Sequence, residues 1–177
     1  ALATWANPYV VLERNGFKIG VLGLIGSDQE SDILKDYVKD YEFTDEFEAI
    51  TKYVPILRND EKCDLVILSV HNDTSDINSR ISKLNGEYRV DAVLNGHTHQ
   101  SYYGEYTFGR TGAALPYVQS GCYGKYIGYV TITVDNTTKE VLDVTSENIN
   151  TSDVCVMKCK EIDDWLEKYR EYIDLAN

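Results

Sequence analysis

Three histidines are the only imidazoles in this chain of 177 residues, and their placement suits metal chemistry. Two of them, His97 and His99, follow a glycine in the run Gly96-His97-Thr98-His99. The third, His71, closes the apolar run Asp64-Leu65-Val66-Ile67-Leu68-Ser69-Val70. Neutral imidazole is a common ligand for divalent ions. At i, i+2 on an extended segment, both side chains leave the backbone on the same side. That spacing suits two ions side by side, which lie roughly 3.5–4 Å apart in two-metal sites. Gly96 lets the backbone come close to such a cluster with no Cβ in the way. A single histidine after a strand is more often just a polar residue at a loop start, so the argument rests on the three together.

Two strands must position them. Val90-Asp91-Ala92-Val93-Leu94 is an apolar run of strand length, stopped by the turn chemistry of Asn95-Gly96. Leu65 to Val70 is a second such run. Between the two, Asp76 to Leu84 sets Ile77, Ile81 and Leu84 on one helical face, with Asn85-Gly86 as a candidate C-cap. Strand, helix, strand over this length predicts a βαβ crossover and hence parallel strands. Parallel strands end at one edge of the sheet, and that carboxyl edge is where α/β proteins place their sites. His71 is therefore expected to converge with His97 and His99.

The remaining patterns are local. Asn15-Gly16 between apolar runs at 8–14 and 17–25 predicts a hairpin. Val21 to Ile25 reads as a strand buried on both faces. Asp45 to Leu57 reads as a helix with Asp45 and Glu48 at capping-box spacing and Phe47, Ile50, Val54 and Leu57 on one face. Pro55 predicts a kink or an early stop. Strand-like text continues at 102–106, 115–119, 125–134 and 140–146. Cys155, Cys159, Ile162, Leu166, Tyr169 and Ile173 then recur at helical spacing.

Composition narrows the partners. The chain is 43% hydrophobic, enough for a core of its own, and carries 17 basic against 29 acidic residues, a net charge of −12. That surface argues against a nucleic-acid polymer as partner, and a polyanionic substrate would need bound cations. No stretch approaches the roughly 20 apolar residues of a membrane span. The four cysteines, Cys63, Cys122, Cys155 and Cys159, form no C-x-x-C pair and read as free thiols.

Gly96-His97-Thr98-His99, preceded by Val90 to Asn95, resembles the last signature of the calcineurin-like dinuclear metallophosphoesterases, in the 5′-nucleotidase and 2′,3′-cyclic-nucleotide phosphodiesterase branch. Asn7 to Leu24 resembles that branch's hairpin, Asp64 to His71 its penultimate ligand strand, and Gln119-Ser120-Gly121 through Gly128 its return to the sheet. The resemblance implies an α/β fold, a mixed β-sheet with flanking helices forming the second half of an αββα sandwich. Residues 1–150 would be the C-terminal part of the metallophosphoesterase domain. Residues 151–177 would be an amphipathic linker helix toward a separate substrate-binding domain.

It further implies hydrolysis of phosphate esters, nucleotides above all, by a bridging hydroxide on two divalent ions such as Zn, Mn or Fe. His71 and His97 would hold one ion and His99 the other. Asn95, Gly96, Asp73 and Gly121 are candidates beside the ions or the substrate, and Asp28 lies on a loop expected near the site. The family's Asp-x-His, Gly-Asp and Gly-Asn-His-Asp/Glu motifs do not occur here. The chain alone is thus expected to be inactive without a missing N-terminal half. An extracellular, periplasmic or cell-surface location follows from the family. Homo-oligomerisation through the last helical stripe, or a non-catalytic binding module with structural histidines, are the competing expectations.

Overall fold

The computed structural model describes residues 5–72, 76–154 and 159–170. Strands β1 (Tyr9–Arg14) and β2 (Phe17–Ile25) form the expected hairpin. Asn15 and Gly16 both have positive φ, 51° and 78°, as a two-residue turn matched to strand twist requires. After β2 come a 3₁₀ turn (Ser27–Asp32) and the short helix α1 (Lys35–Val38). Helix α2 (Glu46–Pro55) follows, and the Asp45 carboxylate accepts from the Phe47 N–H at 2.7 Å to cap it. The helix ends at Pro55, and the chain continues through a wider turn (Ile56–Asp60). Its apolar face is the one read from the sequence: Ile50, Val54 and Leu57 are fully buried.

Strand β3 (Leu65–His71), helix α3 (Ile77–Ser82) and strand β4 (Ala92–Asn95) make the crossover. β3 is parallel to both β2 and β4. Helix α3 stops at Ser82, short of the Asn85-Gly86 cap, and a 3₁₀ turn (Gly86–Tyr88) intervenes. Strands β5 (Ser101–Tyr106) and β6 (Leu115–Ser120) complete a six-stranded mixed sheet in the order β1-β2-β3-β4-β6-β5. Strands β7 (Tyr126–Val134) and β8 (Val141–Asn150) form a separate antiparallel pair.

The core lies between the six-stranded sheet and the helices. Leu22, Val66, Leu68, Val70, Val93 and Leu115 meet Ile50, Val54, Leu57, Ile77 and Ile81 there. The β7–β8 pair packs on the other face mainly against β5 and β6, and its turn reaches the β1–β2 hairpin, where Lys139 Nζ donates to the Gly16 carbonyl at 3.1 Å. A Cβ on Gly128 would come within 3.0 Å of Val118, and Asn148 Nδ2 donates to the Gln119 carbonyl at 2.8 Å. At the carboxyl ends of β2 and β4 that face stays open, with Ile25 45% exposed and Leu94 39%. Burial on both faces, expected for β2, is therefore met on one face only.

At the amino-terminal end of the parallel strands sits a buried ionic knot. Asp91 is 2% exposed and accepts from the Val66 N–H at 2.8 Å, tying β3 to the start of β4. Its carboxylate also pairs with Arg58 and, at 3.1 Å, with Arg89. Arg110 donates to the Val90 carbonyl at 2.8 Å, and burial, reinforced by Arg89, pulls its pKa down to about 10.

The C-terminal region departs from the expected single helix. Helices α4 (Thr151–Val154) and α5 (Lys160–Glu167) are separate, and Cys159 is extended, with φ −79° and ψ 107°. Cys155 and Ile173 lie outside the described residues. Ile162, Trp165, Leu166 and Tyr169 are exposed, and no described helix is long and apolar enough to cross a membrane.

Asp91→Ala should lower stability by about 3–5 kcal/mol, because it leaves two half-buried guanidinium groups without their carboxylate and unties β3 from β4. Urea unfolding measures this, and a loss below about 1 kcal/mol, the range of an exposed pair, would refute the assignment.

Candidate functional site

The parallel register decides which histidines meet. Val70 faces Asn95 across the β3–β4 ladder, and the Gly96 N–H donates to the Val70 carbonyl at 2.9 Å. His71 follows Val70 directly and His97 lies one residue beyond Gly96, and their rings come together, with centroids 5.4 Å apart and planes at 69°. Gly96 makes room for this: a Cβ there would stand 3.3 Å from His71 Nδ1, tighter than an ordinary contact. From the neighbouring β2 end, the loop brings Asp32, whose Oδ2 is 3.8 Å from His97 Nε2. The carboxyl ends of three adjacent strands therefore supply two imidazoles and a carboxylate.

His99 is placed differently. His97 has φ 108° and His99 φ 61°, so the segment is a turn and not an extended strand. The same-side rule for i, i+2 residues does not apply to it. The His99 ring faces Tyr123, with centroids 6.3 Å apart. Such backbone angles in residues with a Cβ cost of order 1–3 kcal/mol each and persist where the surroundings enforce them.

Those surroundings are a set of buried amides. Asn78 Nδ2 donates to Asn95 Oδ1 at 2.8 Å, and Asn95 Nδ2 donates to the Asn72 carbonyl at 3.0 Å. Asn72 in turn donates to the Glu46 carboxylate at the start of α2. Thr98, between the two histidines, accepts from Gln119 Nε2 at 2.8 Å, and the same amide reaches the Gln100 carbonyl at 2.9 Å. Asn95, a candidate for the site from sequence, thus braces the strand end from beneath. Gly121 has φ 69°, and its N–H donates to the Gln100 carbonyl at 3.0 Å.

Asp28 is turned toward its own loop, where it accepts from Gln29 Nε2 at 3.3 Å. Asp73 lies outside the described residues. Asp32, Asn78 and Gln119 escaped the sequence reading. Nothing in the polar stretch 26–43 separates Asp32 from its acidic neighbours, and the two amides act through partners distant in sequence. A largely apolar cavity of about 700 Å³, lined by Trp5, Leu24, Tyr37 and Tyr53 among others, contains none of the three histidines.

Two imidazoles and a carboxylate at one sheet edge are suitable donors for a divalent ion. They fall short of a full shell: among the described residues, no three His, Cys, Asp or Glu side chains are placed to hold an ion together. The donors present fit part of a coordination sphere and not the whole of one.

No family model matches the chain. It is 32% identical to the cell wall protein Lmo0130 of Listeria monocytogenes over 148 residues, which is 74% of this chain and 18% of that protein. It is 30% identical to a 5′-nucleotidase of Diplobatis ommata over 149 residues, covering 76% of this chain and 25% of the relative. The chain therefore spans a quarter or less of the length of these two relatives. A solved 5′-nucleotidase precursor from Thermus thermophilus superposes with a TM-score of 0.67 at 20% identity, over 84% of this chain and 31% of that one. Matches to an apyrase and to further nucleotidases agree, and with the hairpin, the crossover and the Gly-His-Thr-His turn in place, the chain belongs to the 5′-nucleotidase family and fits the C-terminal part of the calcineurin-like metallophosphoesterase domain.

Proposed function

We propose that the protein carrying this chain hydrolyses phosphate esters with divalent metal ions, and that nucleotides, as monophosphates or cyclic diesters, are its substrate class. The observation that carries the reading is the meeting of His71 and His97 at the ends of adjacent parallel strands, 5.4 Å between ring centroids. Its wider support is the family, whose named members include nucleotidases.

In this reading His71 and His97 ligate one ion and His99 serves a second, with Gly96 and Gly121 keeping the backbone clear. Divalent ions of the Zn, Mn or Fe kind, when bound, would polarise the ester and lower the pKa of a water. The chain's own part is to hold the imidazoles. Asn95 and Asn78 fix the end of β4, and Gln119 fixes Thr98 between the last two histidines. Remaining donors are assigned to polypeptide outside these residues, since the described ones gather no complete set. The isolated chain is accordingly expected to be inactive. A cell-surface or extracellular setting is supported by relatives named as a cell wall protein and as snake venom nucleotidases. The incomplete donor set also favours, as second reading, a binding module whose histidines are structural.

An assay of the full-length protein with nucleoside monophosphates, cyclic nucleotides and a simple diester, with and without Mn²⁺ or Zn²⁺, separates the two. Hydrolysis that a chelator abolishes is expected. Full-length protein that binds no metal and hydrolyses none of these esters would leave the binding module standing.

His71→Ala, His97→Ala and His99→Ala should each lower bound metal and rate together. Metal analysis alongside kinetics checks this, and unchanged metal content in all three variants would remove these residues from the ligand set. Gln119→Ala should weaken metal affinity by less than the roughly 10–100-fold cost of losing a group bonded directly to a ligand, because it frees only Thr98 between the two histidines. Competition with a coloured chelator measures it, and wild-type affinity in this variant would show that the Thr98 anchor is not needed.

A further inference from the structure

The apolar cavity of about 700 Å³ is walled in part by aromatic rings that the core does not use. It opens between the end of β2, helix α1 and the start of α2, within the size range of small-molecule sites. Leu24 and Tyr53 line it and also pack against the helix-side core, so it belongs to the covered face of the sheet. The outer walls are Trp5, Tyr37 and Tyr41, which stand 76%, 75% and 40% exposed. Trp5 and Tyr41 meet at right angles, with ring centroids 6.4 Å apart and planes at 89°. The Trp5 indole N–H donates to the Tyr41 hydroxyl at 2.9 Å and fixes this corner.

The charge around the cavity is one-sided. Glu42, Asp45 and Glu46 line it, and no lysine, arginine or histidine is among the described residues that do. Asp45 caps α2 and lies 3.9 Å from Arg80, and Glu46 accepts from Asn72, whereas Glu42 is exposed to solvent. The faces of aromatic rings carry negative potential and attract cations, alkylated ammonium ions above all. Rings and carboxylates without a base therefore favour a positive ligand that also has apolar surface, and they repel an anion. The same attraction is present once within the fold, where Lys52 Nζ lies 4.8 Å from the Tyr53 ring centroid.

We propose that this cavity binds an organic cation, a quaternary ammonium or other alkylated amine that carries an apolar group. Leu24, Ile33 and Val38 receive the apolar part. Tyr37 and the Trp5–Tyr41 corner receive the cationic head, and Glu42 supplies the counter-charge. None of the three histidines lines the cavity, so the inference stands apart from the hydrolase reading.

The test is calorimetric titration of the full-length protein with benzyltrimethylammonium and with benzyl alcohol, which share a ring and differ in charge. The cation should bind roughly tenfold more tightly than the alcohol, since several rings and a carboxylate act on its charge. Tyr37→Ala should weaken the cation roughly threefold, the effect of one exposed ring, with Tm unchanged because the side chain is 75% exposed. Glu42→Gln should weaken the cation and leave benzyl alcohol as it was. Benzyl alcohol binding as tightly as the cation would reduce the site to an apolar cavity and overturn the proposal. Cation affinity unchanged in both variants would overturn it as well, by placing the binding elsewhere. So would full-length protein that binds neither probe, its own polypeptide then filling the cavity.

Discussion

The structure depends on one pairing constraint, the parallel register of β3 against β4. That register is pinned at its amino-terminal end by the Asp91 carboxylate, which bonds the Val66 N–H while two arginines neutralise its buried charge. Because side chains alternate along a strand, a slip of one residue would send the apolar set Val66, Leu68 and Val70 to the open face. At the other end the same register sets Val70 opposite Asn95 and His71 next to Gly96, and the turn that follows brings the His97 ring to His71. A charge cluster at one edge of the sheet thereby fixes the meeting of imidazoles at the other. The polar knot is costly to bury, and its evident return is specificity of register, the use of buried polar groups that is best attested.

The carboxyl edge is built on a different principle. Its residues stand in unfavoured backbone conformations at His97, His99 and Tyr123, and a buried layer of amides braces the strand end and the turn. The hydrogen bonds that join Asn72, Asn78 and Asn95, and those of Gln119 to Thr98 and Gln100, are short-range and directional, so they can hold a turn against strain where apolar contact cannot. The edge is rigid below and open above. Such an arrangement leaves the imidazoles accessible and their positions defined, which is what a site assembled from several segments needs.

The uneven covering of the sheet belongs to the same picture. Helices bury one face from β2 to β6, whereas the β7–β8 pair packs mainly on the β5–β6 end of the other, its turn reaching the β1–β2 hairpin. Ile25 and Leu94 are left partly in water on that second face, close to the histidine edge. The incomplete layer and the donor set left incomplete among the described residues occur at the same edge, and both accord with a chain that spans a quarter or less of the length of the two relatives compared.

Sequence alone determined the features that follow from periodicity and turn chemistry. The Asn15-Gly16 hairpin, the buried face of α2, the crossover from β3 to β4 and the stop at Pro55 are all short-range consequences of residue type. The convergence of His71 with His97 was also legible, because a right-length crossover forces parallel strands and parallel strands share an edge. The bend at His97 and His99 was not, since an i, i+2 spacing says nothing of φ once the chain leaves the strand. Nor was the choice of Asp32 over Asp28: both are acids on one polar loop, and only the folded path of that loop brings one toward His97. The separation of α4 from α5 at Cys159 likewise ran against a clean helical pattern, because propensity is a weak prior where no core receives the apolar stripe. Tertiary structure decided these points because each depends on contacts between segments far apart in the chain, which no local pattern encodes.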